Sequence, residues 1–66
     1  MMNAMQYKGY TIRKSGKSLW KIITTEAQRP FFRRFVSADA CKVAIDCRED
    51  GMRVMTAEEH KIMYPV

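Results

Sequence analysis

The alternation of apolar and polar positions predicts that the chain opens with a β-hairpin. Residues 7–14, YKGYTIRK, alternate apolar with polar side chains, as a strand with one buried face does. Residues 15–18, SGKS, have turn chemistry, and we expect Gly16 to supply the positive φ of a tight hairpin. Residues 19–25, LWKIITT, are rich in β-branched and aromatic side chains, which favour a second strand.

A third strand and a long helix follow this hairpin. Residues 26–30 form a connection, and residues 31–36, FFRRFV, are predicted to be a strand. At Ser37 the apolar spacing changes to that of a helix, with the serine as N-cap. The helix is predicted over 37–50, and Gly51 is its C-terminal stop.

The last part of the chain is predicted to hold a second, shorter helix. Residues 52–55 are compatible with a short strand or with a packed loop. Thr56 and Glu59 match a capping box, in which each side chain binds an amide at the start of a helix. We expect about two helical turns that end near Tyr64 and Pro65.

Together these elements predict one small α+β domain over residues 1–66. A chain of 66 residues is too short to form two cores. The expected architecture is a three-stranded antiparallel sheet packed on one helix (β-β-β-α), with a short C-terminal helix. The sheet is assigned to about 7–36, the main helix to about 37–50 and the tail to 51–66.

Strand alternation divides the side chains of the sheet into two groups, because successive residues point to opposite faces. We expect the helix to cover Tyr10, Ile12, Trp20, Ile22 and Phe35. The other group, the open face, consists of Thr11, Arg13, Leu19, Lys21, Ile23, Phe32, Arg34 and Val36. This face is both apolar and cationic, and exposed apolar patches usually contact something.

The charge distribution reinforces this picture. The formal net charge is +5. Residues 1–36 carry eight Lys or Arg and one Glu, a net charge of +7, whereas residues 37–66 carry four basic and six acidic residues, a net charge of −2. This asymmetry predicts an electropositive face rather than a diffuse excess of charge.

Four occupants of the open face are compatible with this pattern. The tail could fold back over it, or two chains could pack there as a homodimer. Alternatively, the face could bind DNA or another nucleic acid, because arginine pairs with phosphate or guanine while aromatic and aliphatic groups stack or contact thymine methyls. The fourth possibility is an acidic host protein or a ribonucleoprotein.

Catalytic and metal-binding chemistry is not indicated. Cys41 and Cys47 point in different directions from one helix, so we expect free thiols in a reducing cytoplasm. With His60 they offer at most three zinc ligands at unsuitable spacing. Residues 16–18, GKS, resemble the end of a P-loop but lack its first glycine and its following helix. We therefore predict no catalytic residues, no metal and no cofactor.

The chain is expected to act in the cytoplasm of a bacterial host cell. The start of the sequence, MMNAMQYKGY, has no apolar run long enough for a signal peptide or a membrane span. No membrane partner is therefore predicted.

Three parts of the pattern resemble known proteins: residues 7–12 (YKGYTI), Trp20, and residues 35–46 (FVSADACKVAID). They resemble short phage and prophage proteins and the amino-terminal arm-binding domain of phage and transposon tyrosine integrases. In that domain a three-stranded sheet backed by a helix lays its face in the DNA major groove. The resemblance covers about residues 7–50, and integrases continue into a catalytic domain after this region.

The resemblance implies that Arg13, Lys21, Arg33 and Arg34 contact DNA. With Lys14 and Lys17 at the predicted hairpin tip and Phe32 on the open face, the candidate contact residues are Arg13, Lys14, Lys17, Lys21, Phe32, Arg33 and Arg34. We expect a non-enzymatic phage or prophage accessory protein that binds duplex DNA through a basic and aromatic sheet face. The alternative is a phage-encoded inhibitor of a host defence or another host protein, similar to anti-CRISPR proteins, that binds a protein or a ribonucleoprotein.

Overall fold

A computed structural model describes residues 4–65, which form a three-stranded antiparallel sheet followed by two helices. The elements are β1 (Ala4–Tyr7), β2 (Tyr10–Lys14), β3 (Trp20–Ile23), α1 (Ala38–Glu49) and α2 (Ala57–Met63). The strands lie in the order β1-β2-β3. The predicted α+β class, with a sheet, a main helix and a short C-terminal helix, is confirmed.

The first two strands meet at a two-residue turn formed by Lys8 and Gly9. Both residues have positive φ, 51° and 86°, as a type I′ hairpin turn requires. The prediction of one uninterrupted strand over residues 7–14 is therefore wrong. Gly16 is not among the residues with positive φ, so the tight glycine turn lies one connection earlier than predicted.

The predicted third strand over 31–36 is also wrong, because only Phe35 pairs with the sheet. Phe35 forms an isolated antiparallel bridge with Trp20. Side chains hold the start of the segment instead: the Phe31 ring packs edge-on against Tyr10 and Phe35, with centroid distances of 5.9 and 6.2 Å. Residues 4–6, which the sequence pattern left unassigned, form β1 together with Tyr7 and provide the missing strand.

The core lies between the sheet and α1, on the side that alternation predicts. The buried side chains are Tyr10, Ile12, Ile22, Phe35, Ala40, Cys41, Val43, Ile45 and Met63. Trp20 is partly buried and packs against this cluster. The covered group of the sheet is thus correctly predicted.

Both helices begin with the predicted caps. The Ser37 Oγ accepts a hydrogen bond from the Ala40 amide at 3.1 Å, which satisfies an amide that the helix itself leaves unpaired. At α2 both halves of the capping box are present between Thr56 and Glu59. Residues 52–55 form a loop rather than a strand.

The second helix packs against α1 rather than across the sheet. Met63 is its buried residue and belongs to the core. Within residues 4–65, neither helix combines the length and the apolar composition that a membrane crossing requires.

Candidate nucleic-acid interface

Strand register places Arg13 and Lys21 side by side on the open face. Arg13 of β2 pairs with Lys21 of β3, and Thr11 pairs with Ile23. Residues directly opposite each other in antiparallel strands share a face, and like charges at such positions destabilise a sheet. Within residues 4–65, no carboxylate lies within salt-bridge distance of either cation. This pair costs the fold stability, which favours a role in binding.

Arg34 extends the basic surface from the neighbouring segment. Its Nε donates a hydrogen bond to the Ser15 Oγ at 2.8 Å. Alternation from the Trp20 and Phe35 bridge places Arg34 on the side opposite the core. Arg13, Lys21 and Arg34 are thus the three sequence-predicted cations that the fold places on the open face.

Several apolar side chains that alternation predicts on the same face are exposed to solvent. Leu19, Ile23 and Val36 are all exposed. Phe32, which was also predicted on this face, is 91% exposed and lines a depression with Arg29 and Arg48. An apolar surface interleaved with arginine and lysine can contact both the phosphates and the base edges of a duplex.

The tail does not cover this surface. Its large apolar side chains Met52, Val54, Ile62 and Tyr64 remain exposed. Because α2 packs on α1, it lies on the helix side of the sheet. The possibility that the tail seals the open face is therefore contradicted by the structure.

The remaining candidate contact residues do not join the Arg13 and Lys21 pair. Lys14 pairs with Trp20, so it points to the helix side of the sheet, although it is exposed. Lys17 is exposed in the loop between β2 and β3. Arg33 points to the core side: its guanidinium lies 5.0 Å from the Phe35 ring centroid, and its Nη1 donates to the Tyr64 hydroxyl at 3.1 Å.

Acidic groups of α1 are occupied on the opposite side of the molecule. Asp46 accepts a hydrogen bond from the Tyr7 hydroxyl at 2.9 Å and forms an ion pair with Lys8 Nζ at 2.7 Å. Partial burial raises the pKa of Asp46, but the hydrogen bonds from Lys8 and Tyr7 outweigh it and the net pKa is lowered. The Tyr10 hydroxyl donates to Glu49 at 3.0 Å. These carboxylates therefore do not neutralise the open face.

The two groups considered for catalysis lie apart in different environments. Cys41 is fully buried, and burial raises the pKa of its thiol to about 11. His60 is exposed on α2, with its ring 5.0 Å from that of Tyr64. No group of three or more His, Cys, Asp or Glu side chains within residues 4–65 is arranged to hold a metal ion.

A second feature, which the sequence pattern did not predict, is a pocket at the edge of the core. It is lined by Arg29, Pro30, Phe31, Phe32, Arg33 and Arg48, and its volume is about 440 Å³. Arg48 of α1 donates hydrogen bonds to the carbonyls of Arg29 and Pro30 and stacks over the Phe31 ring, 3.6 Å from its centroid. Nothing in the sequence distinguished Arg48 from the other solvent-facing residues of the helix.

Comparisons with known proteins do not assign this site to a family. No family model, no curated protein and no solved structure matches the chain. The resemblance to the arm-binding domain of tyrosine integrases therefore stays a prediction.

Proposed function

We propose that the protein binds duplex DNA through its open face and acts as a non-enzymatic accessory protein of a phage or prophage. The observation that carries the proposal is the adjacent pair Arg13 and Lys21, which has no carboxylate within salt-bridge distance among residues 4–65. Two cations held side by side are unfavourable for the free protein and favourable once a phosphate backbone lies against them.

The shape of the surface agrees with this partner. The major groove of B-DNA is about 12 Å wide and admits a two-stranded β-ribbon. The hairpin of β2 and β3, to which β1 adds a third strand, carries both Arg13 and Lys21 on its open face. In the groove, these cations would contact phosphate or guanine, and Ile23 would contact thymine methyl groups.

Salt dependence tests the proposal directly. The open-face cations Arg13, Lys21 and Arg34, with Lys17 from the neighbouring loop, would neutralise about four phosphates. The logarithm of the binding constant should then fall with log salt at a slope of about −3.6. Fluorescence anisotropy with a random duplex at several salt concentrations measures this slope. A flat response would contradict duplex binding.

A matched pair of variants separates a defined interface from a general effect of net charge. Lys21→Gln should reduce the salt slope by about 1, and its melting temperature should not fall because a like-charge pair is relieved. Lys61→Gln on the exposed side of α2 changes the net charge equally and should leave the slope unchanged. Equal effects of the two variants would rule out the open face as the contact surface.

The alternative function is inhibition of a host defence or another host protein by protein or ribonucleoprotein binding. The exposed Leu19, Ile23 and Val36 favour it, because aliphatic side chains are better matched by a protein surface than by phosphates. Two results would favour this alternative: DNA binding that is weak and does not change with salt, and loss of inhibition of the host protein in a Leu19→Ser variant. A homodimer through the same face would appear as a doubled mass in light scattering.

A further inference from the structure

The depression lined by arginines and phenylalanines is open to solvent and large enough to hold a small ligand. Its volume of about 440 Å³ falls within the range of about 300 to 1,000 Å³ that small-molecule sites occupy. Its wall is fixed, because the Phe31 ring is held edge-on by Tyr10 and Phe35 and is covered by the Arg48 guanidinium at 3.6 Å. The part of the pocket formed by Phe31 and Arg48 is therefore already in place.

The charge of the pocket selects an anion. Three arginines line it and no acidic residue does. Arg48 is held by backbone carbonyls and Arg33 by the Tyr64 hydroxyl, whereas the exposed Arg29 makes no side-chain hydrogen bond or ion pair within residues 4–65. The planar guanidinium group of an arginine can donate two parallel hydrogen bonds to one phosphate.

Phe32 adds a flat stacking surface at the same site. It is 91% exposed, so it contributes almost nothing to the core. Nucleic-acid bases stack on exposed aromatic rings of this kind while their phosphates pair with neighbouring arginines.

From these observations we infer that the pocket binds a single nucleotide unit, with its phosphate between Arg29 and Arg33 and its base stacked on Phe32. The unit comes either from a free mononucleotide or from an unpaired, 5′-phosphorylated nucleotide at the end of a DNA strand. This inference goes beyond the proposed function, because the pocket would bind such a unit whether or not the open face binds a duplex.

An NMR titration with small ligands tests the inference. We expect AMP to shift the Nε–Hε signals of Arg29 and Arg33 and the ring signals of Phe32 in a saturable manner. Ribose 5-phosphate should shift the arginine signals alone, and adenosine should bind more weakly than AMP. Absence of saturable shifts with AMP and with the DNA end described below would overturn the inference.

Two variants assign the binding energy to the residues named. Phe32→Ala should weaken AMP binding by about 5- to 150-fold and leave ribose 5-phosphate binding unchanged. Arg29→Gln should weaken binding of both ligands by about tenfold or more. The matched control is Arg13→Gln on the open face, which changes the net charge equally and should leave AMP binding unchanged. Equal weakening by Arg29→Gln and Arg13→Gln would overturn the assignment to the pocket.

Two DNA probes identify the source of the nucleotide and keep this inference separate from the proposed function. The first probe is a duplex with a one-nucleotide 5′-phosphorylated overhang, and the second is the blunt duplex. Tighter binding of the overhang duplex, lost in the Phe32→Ala variant, would identify a strand end as the source. Equal binding of the two duplexes together with AMP binding would identify a free nucleotide. Failure of duplex binding affects only the proposed function, since AMP binding does not depend on it.

Discussion

The backbones of Trp20 and Phe35 exchange two hydrogen bonds, each 2.7 Å long, and this bridge is the only ladder pairing of the segment 31–36 within the described chain. The bridge fixes Phe35 on the core side. Its neighbours Arg34 and Val36 are directed to the open face as a result. One residue pair thus orients Arg34 and Val36, which a complete strand was expected to orient.

Loss of the Phe35 ring should therefore cost much more stability than loss of Phe32. Phe35 is 2% exposed and Phe32 is 91% exposed. Truncation of a buried phenylalanine to alanine costs about 3 to 5 kcal/mol, whereas Phe32→Ala should change the free energy of unfolding by less than about 0.5 kcal/mol. Urea unfolding of the two variants measures both values. Similar losses in the two variants would show that the segment is anchored in another way.

The face assignment could be predicted because alternation is a local property of extended chain. Tyr10, Ile12 and Ile22 are apolar at every second position of β2 and β3, and all three are buried. The same reasoning gave a wrong strand for residues 31–36. Their sequence, FFRRFV, has the composition of a strand, but the segment is held mainly by side-chain packing. Hydrogen bonding of its backbone depends on tertiary contacts that periodicity does not encode.

The turn between β1 and β2 should respond strongly to a side chain at Gly9. Gly9 has φ of 86°, and an added Cβ would lie 3.8 Å from Gln28 Nε2, an ordinary contact. The cost of Gly9→Ala therefore comes from the backbone conformation and should be about 1 to 2 kcal/mol. Thermal or urea unfolding measures it.

Gly16→Ala is the matched control for that change. Gly16 does not have positive φ, and nothing lies within 4 Å of an added Cβ. The variant should be neutral or more stable by about 0.4 to 1 kcal/mol, because alanine restricts the unfolded chain. A loss of stability at Gly16 equal to that at Gly9 would contradict the assignment of the tight turn.

The pocket could not have been predicted from the sequence, for a physical reason. Arg48 is distant in sequence from Arg29 and Pro30, whose carbonyls accept its hydrogen bonds. An arginine in the last turn of a helix is usually explained by the helix dipole and by solvent. Its contact with Phe31 depends on the folded position of residues 29–31 beside α1, which the sequence pattern does not give.

The two free thiols should differ sharply in reactivity. Cys41 is fully buried and its pKa is raised to about 11 by burial, whereas Cys47 is partly exposed. At pH 8 a pKa of about 11 leaves about one Cys41 thiol in a thousand as the reactive thiolate. Brief iodoacetamide treatment of the native protein, followed by peptide mass mapping, should label Cys47 first. Equal labelling of Cys41 and Cys47 at every time point in the native protein would contradict the burial of Cys41.

The ion pair between Arg53 and Glu59 should make the docking of α2 sensitive to acid. Arg53 Nη1 and Nη2 donate to the two carboxylate oxygens of Glu59 at 2.6 and 2.7 Å. Hydrogen bonds from Arg53, and then from the Thr56 backbone, lower the pKa of Glu59 from about 4.5 to about 2. A lowered folded-state pKa contributes stability that is complete above about pH 4.5 and is lost as the pH falls toward about 2.

Glu59→Gln removes this contribution and so tests it. In urea unfolding, the wild type should be more stable than the variant at pH 6, and the difference should shrink as the pH falls toward 2. Glu58→Gln is the matched control, because Glu58 is exposed and forms no ion pair within residues 4–65. It should keep the pH dependence of the wild type. A difference between wild type and Glu59→Gln that stays constant with pH would mean that the carboxylate contributes by packing and by its cap rather than by its charge.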